Sequence, residues 1–152
     1  MERIFGDDYA LSSTDKRRGL LLWYYLSRFF NHSVRLSNQH LKEWDLTAAQ
    51  FDILVHIGLN QVLTQKQLGE KLLVTKGNIT QLIGKMENMG LIQREREWRE
   101  KRIKLTEAGK EIYQNVVPQQ EKFQASQFDA LSQDEQHLLL GLLKKLYKST
   151  DA

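Results

Sequence analysis

The stretch Thr64–Leu105, TQKQLGEKLLVTKGNITQLIGKMENMGLIQREREWREKRIKL, decides the fold. It holds two short helical patterns joined by a tight connection, then a basic hairpin. The second pattern runs from about Thr75 to Asn88. At roughly 100° per residue, Ile79, Leu82, Ile83 and Met86 fall on one face, which is expected to be buried. Gly77, Asn78, Thr80, Gln81, Gly84, Lys85 and Asn88 point the other way and include no carboxylate. Gly90 is a natural helix stop. After it come Leu91–Arg96 and Lys101–Leu105, and in the second of these Ile103 and Leu105 alternate with Arg102 and Lys104, the period of a half-buried strand. Two helices followed by such a hairpin predict a winged helix-turn-helix.

Working outward, Thr64 and Gln67 have the spacing of a capping box, opening a short helix to about Leu72 with Leu68 and Leu72 inward. Leu73-Val74-Thr75 turns the chain, with Thr75 as the next cap. Thr47 and Gln50 repeat the signal for an earlier helix whose inner face is read as Phe51, Leu54, Val55 and Leu59. Before it, a long helix is expected from Thr14 or Asp15 to about Trp44, well beyond the usual ~11–12 residues. Leu20–Leu26 is apolar nearly all round, which calls for more than one neighbour, a partner subunit being the simplest. Met1–Ser13 has no period and reads as an arm. Downstream, a helix starting at Thr106 carries Ile112, Val116, Phe123 and Phe128, and Pro118 is expected to kink or split it. Ser132 to Glu135 caps a last helix with five leucines between positions 138 and 143. The expected fold class is mainly α with a small β-wing. A winged helix-turn-helix lobe spans 46–106, and a helical dimerisation lobe is built from 1–45 and 107–152.

Composition narrows the function. The chain has 152 residues, 41% hydrophobic and 27% charged, and no cysteine. That excludes disulfides, thiolate metal sites and thiol redox sensing. The apolar run Gly19–Leu26 is far short of the roughly 20 residues of a membrane span, so no membrane role is expected. Neither a secretory leader pattern nor a small-residue cleavage site is visible, which points to a cytoplasmic protein. Net charge is only +3, yet Gln61–Lys110 holds eleven Lys and Arg against six Glu, a net of +5. Cations concentrated in one third of the chain are the footprint of a polyanion-binding lobe.

These residues resemble the MarR family of bacterial transcription regulators. The resemblance is carried by Leu46-Thr47-x-x-Gln50-Phe51, by Gln67-Leu68-x-x-Lys71-Leu72, by the run Asn78 to Ile92, and by Leu131-Ser132-x-x-Glu135. Its most specific piece is the wing, Glu97-Trp98-Arg99 followed by Leu105-Thr106-Glu107-Ala108-Gly109, with Glu97 where the family has Asp. In the family that Asp orients the wing arginine. The resemblance implies a homodimer on a palindromic operator, with repression often relieved by a small ligand.

Candidate site residues follow. Asn78, Thr80, Gln81 and Lys85 suit base edges in the major groove, and Gly77 and Gly84 let the backbone approach. Thr75 and Lys76 complete the reading helix. Thr64 and Lys66 are candidates for phosphate contacts at a helix start. Arg94, Arg96, Arg99, Lys101 and Arg102 are the wing cations, Arg99 being placed for insertion into the minor groove. Trp98 at the tip is read as packing on the strand, the alternative being a contact with sugar. An aromatic effector would be lined by Trp23, Tyr24, His32, Trp44 and His56. The four histidines lack metal-site spacing, and His32 and His40 read as isolated exposed side chains; no metal or other cofactor is expected. No phosphate loop or nucleophile elbow points to an enzyme. The rival to operator binding is a winged helix used as a protein-interaction or architectural adaptor, whose exposed face would carry apolar anchors or acids.

Overall fold

The computed structural model describes residues 14–72 and 76–151, the side chain of Lys76 excepted. The expected arm Met1–Ser13, the turn at Leu73–Thr75 and the cap Thr75 lie outside the described residues. In order, the elements are α1 (Thr14–Leu41), a 3-10 turn (Lys42–Trp44), α2 (Ala48–Asn60), β1 (Leu63–Thr64), α3 (Gln65–Leu72), α4 (Lys76–Asn88), β2 (Ile92–Glu97), β3 (Glu100–Leu105), α5 (Glu107–Ser126) and α6 (Gln133–Ser149). The chain is thus mainly helical with a small antiparallel sheet, ordered β1-β3-β2.

Compactness groups the chain into two units, Met1–Leu36 and Ser37–Ala152. This grouping differs from the expected lobes, because α5 and α6 fall in the same unit as the winged helix. In the first unit, α1 leaves Leu22, Trp23, Tyr25, Leu26, Phe29 and Phe30 exposed. In the second, α6 has no buried residue, and Leu138, Leu140, Leu142 and Leu146 are all open. No helix among the described residues is long and apolar enough to cross a membrane.

The core of the second unit explains the order of its elements. Phe51, Ile53, Leu54 and Ile57 of α2 are buried together with Leu68 of α3, Ile79, Ile83 and Met86 of α4, Ile103 of β3 and Val116 of α5. Each fully buried aliphatic side chain contributes ~1.5–3 kcal/mol to stability, so this cluster dominates. Ile53 and Ile57 are the inward residues in place of Leu59, which is exposed. Helix starts are fixed by side chains. Thr47 Oγ1 accepts from the Gln50 N–H, and Gln50 Oε1 accepts from the Thr47 N–H. The same reciprocal pair joins Thr64 to Gln67 and Ser132 to Glu135. The Ala48 N–H, a free donor of the first turn of α2, is taken by Asn38 Oδ1 at 2.7 Å. The Ser132 N–H and hydroxyl also hold the Glu135 carboxyl below its usual range.

Two expectations need correction. The first helix ends at Leu41, and Trp44 sits in the 3-10 turn that follows. Asp45 closes that turn in the left-handed region at φ 57°, its N–H on the Lys42 carbonyl. Pro118 does not split α5, which runs unbroken past it to Ser126 and stops short of Phe128. The proline costs one bond, to the carbonyl of Gln114. Buried Val116, Val117 and Gln120 on either side hold the helix together.

Candidate nucleic-acid interface

The reading helix α4 buries Ile79, Ile83 and Met86, with Leu82 partly covered, and exposes Gly77, Asn78, Thr80, Gln81, Lys85 and Asn88. The face expected to meet DNA is therefore the solvent face. Gln65 Nε2 donates to Thr80 Oγ1 at 2.7 Å, which braces that face from α3. A Cβ added at Gly77 or Gly84 would meet nothing within 4 Å. Neither glycine is required by packing, although each costs about 1 kcal/mol of helix propensity relative to Ala. Thr64 is occupied by its capping box and pairs with Arg102 across β1 and β3. Lys66, two residues on, is exposed. It shares a cleft of about 720 Å³ with Gln65, Gly69, Glu70, Ile79, Arg99 and Lys101, so the first turn of α3 and the wing tip open onto one groove.

Strand register sorts the wing cations. Arg94 is opposite Ile103 and Arg96 opposite Lys101, on the face that carries Ile92 and Leu105 inward. The other face holds Glu95, Glu97 and Glu100 with Arg102 and Lys104. There the charges cancel: Arg102 meets Glu97 at 3.1 Å, and Lys104 meets Glu95. Arg94 is also committed. Its Nε and Nη2 donate to the two Glu87 oxygens at 3.0 Å each, tying β2 to the last turn of α4. Of the five expected wing contacts, Arg96, Arg99 and Lys101 alone have no carboxylate partner among the described residues. Glu97, which stands where the family's Asp orients the wing arginine, pairs with Arg102 instead.

Arg94's hydrogen bonds hold the Glu87 carboxyl below its ordinary 4.5 and raise the guanidinium in turn. The lowered folded value means the pair contributes fully above the unfolded pKa near 4.5 and is lost as pH falls through the folded one. Both side chains are partly exposed, at 28% and 38%, so solvent screening limits the contribution to roughly 0.5 kcal/mol. Glu87→Gln is expected to shift the urea midpoint downward at pH 7, by a difference that shrinks as the pH is taken below 4.5. A difference that stays constant as the pH falls would exclude the ion pair as its cause.

The hairpin tip is the two-residue loop Trp98–Arg99, closed by the pair Glu97 and Glu100. Trp98 is 93% exposed and does not pack on the strand, contrary to the sequence reading.

The likeness to known proteins matches this geometry. The MarR family model covers residues 44–103. An HTH-type transcriptional regulator of Bacillus cereus is 43% identical over 138 residues, 90% of this chain and 94% of that protein. The chain belongs to the MarR family. Among solved structures it resembles a mutant MarR from Escherichia coli complexed with operator DNA, at 26% identity and TM-score 0.74, covering 89% of this chain and 99% of that one. It also resembles a MepR–DNA complex from Staphylococcus aureus, at 25% identity and TM-score 0.75, covering 83% and 96%. Membership makes it a winged helix-turn-helix regulator of transcription.

The MarR-type run Leu105-Thr106-x-x-Gly109 is a clamp beneath the wing. Thr106 caps α5 by accepting from the Gly109 N–H at 3.0 Å, and its hydroxyl donates to the Gly90 carbonyl at 2.6 Å. Its own N–H reaches the Leu91 carbonyl at 3.0 Å. Gly109 lies so close to that carbonyl that a Cβ would stand 2.0 Å from its oxygen. The motif thus joins the exit of the reading helix, the base of the wing and the start of α5.

The expected effector residues are scattered. Trp23, Tyr24 and His32 lie on α1 in the first unit. Trp23 is exposed, Tyr24 lies under the Arg28 guanidinium at 5.0 Å, and His32 stands 3.4 Å from Arg35. In the second unit Trp44 packs against the core and the half-buried His56 sits one turn after Asp52, whose carboxyl burial pushes up and His56 pulls down. His40 is not the isolated exposed residue expected. It stacks on Phe123 at 4.4 Å and 7°, and its Nδ1 is 2.7 Å from Oε1 of the fully buried Gln120. Phe123 on the helical pattern was the available signal, but a contact 80 residues apart carries no local trace.

Proposed function

We propose that this protein is a homodimeric repressor that binds a palindromic operator, with α4 in the major groove and the β2–β3 tip in the minor groove. The observation that carries this reading is the carboxylate-free outer face of α4 beside three wing cations, Arg96, Arg99 and Lys101, that have no carboxylate partner among the described residues. Asn78, Thr80, Gln81 and Lys85 would address base edges, with Gly77 and Gly84 admitting the backbone. Lys66 and Thr64 would meet phosphate, and Arg99 the minor groove. Arg94 and Arg102 act within the protein, holding the wing in place. The operator complex of E. coli MarR supports the same use of the fold. The dimer is supported by the apolar side chains that α1 and α6 leave exposed, Trp23, Leu26 and Phe30 on one and Leu138, Leu142 and Leu146 on the other. An aromatic ligand as the releasing signal rests on family membership and on the aromatic side chains of α1 and the 3-10 turn.

A salt titration tests the reading. Log K for a selected operator duplex should fall linearly with log of salt concentration, by about 0.9 per phosphate contact. In a dimer Lys66→Ala removes two such contacts, so the slope should become shallower by about 2 while sequence preference is kept. A flat response in the wild type would overturn the proposal.

A further inference from the structure

The wing tip carries a residue that the fold does not use. Trp98 takes φ 60° at the first position of a two-residue hairpin loop, a place suited to Gly. For a bulky side chain that conformation is strained, and the indole gains no burial in return, since it is 93% exposed. Backbone strain and an exposed ring both oppose stability. Their coincidence at one residue is what a ligand-facing position looks like. The surroundings define the ligand: Arg99 is the other loop residue, and Arg96 and Lys101, without a carboxylate partner among the described residues, are opposite one another two residues below. Cations around a projecting aromatic edge fit a polyanion with an apolar furrow.

Resting on the DNA-binding reading above, we propose that Trp98 is a specificity-determining residue that reads the minor groove. Its indole enters edge-on between the deoxyribose walls, and Nε1–H donates to adenine N3 or thymine O2. The groove is about 6 Å wide and shows only acceptors at A·T pairs, whereas guanine adds an amino donor to the floor. The indole nitrogen is a donor only, so it meets a partner at A·T and a second donor at G·C. The protein therefore prefers A·T at the outer positions of its site. Arg99 supplies attraction there and Trp98 the discrimination.

The test uses the full chain and the short duplex most enriched by the wild type from a randomised pool. Its outer A·T pairs are replaced by G·C or by inosine·C, which keeps the major-groove pattern of G·C but lacks the minor-groove amino group. Wild type is expected to bind the G·C duplex about tenfold more weakly and to recover on inosine·C. Trp98→Phe should lose that discrimination while retaining part of the affinity. Trp98→Gly should bind about tenfold more weakly with a Tm at or above wild type, because the strain is relieved. Either variant discriminating as the wild type does, or an enriched site without outer A·T pairs, overturns the inference alone. If the wild type enriches no sequence, the DNA-binding reading fails and this inference with it.

Discussion

Gly109→Ala is expected to lower stability by about 3 kcal/mol, which for a chain of this size moves Tm down by about 10 °C. The added methyl would stand 2.0 Å from the Leu91 carbonyl oxygen, a backbone atom that no rotamer change can move aside. Helix propensity alone would favour the alanine by about 1 kcal/mol, so the sign of the result separates the two effects. Relief requires α5 to lift from the base of the wing. That would break the Thr106 N–H bond to Leu91 and the hydroxyl bond to Gly90 together. Thermal melting followed by circular dichroism measures the change, and an unchanged Tm would mean that α5 is not seated as described.

Arg99→Ala is expected to weaken operator binding about a hundredfold, with each copy in the proposed dimer losing about 1.4 kcal/mol. Arg99 lies in the loop, beside the cleft shared with Lys66 and Lys101, and no carboxylate neutralises it among the described residues. Arg102→Ala is the contrast. Its charge is already matched by Glu97, so its loss should change affinity about threefold or less at equal salt. Gel-shift titration of both variants, with Tm measured in parallel, decides the matter. Equal losses for the two would show that charge count, not placement, governs binding.

Much of this site was legible in the sequence because it obeys local rules. The buried stripe Ile79, Ile83 and Met86 follows from helical period, and the starts at Thr47, Thr64 and Ser132 follow from two side-chain oxygen acceptors three residues apart. What escaped is what distance or register decides. The two-residue strand β1 is too short to display a period, so its pairing with Ile103 and Arg102 left no mark. The sorting of the wing charges depends on the hairpin loop being two residues long. With any odd length Arg102 would change faces, and Glu97 could not be assigned to it. Leu59 was misplaced because α2 is apolar on more than one side, and period alone cannot choose between its stripes. The stacking of His40 on Phe123 arises only when the end of α1 meets α5.

The continuity of α5 makes it a rod between two anchorages. At Gly109 it is fixed to the reading helix and wing together, and eleven residues on, about 16 Å along the axis, Gln120 and Phe123 grip His40. The Thr106 junction bonds the start of α5 to the exit of α4 and to the base of the wing, so a shift of that end would move both together. The rod has one step without its backbone bond, where Pro118 faces the Gln114 carbonyl. Bending under load concentrates there, between the lever's handle and its working end.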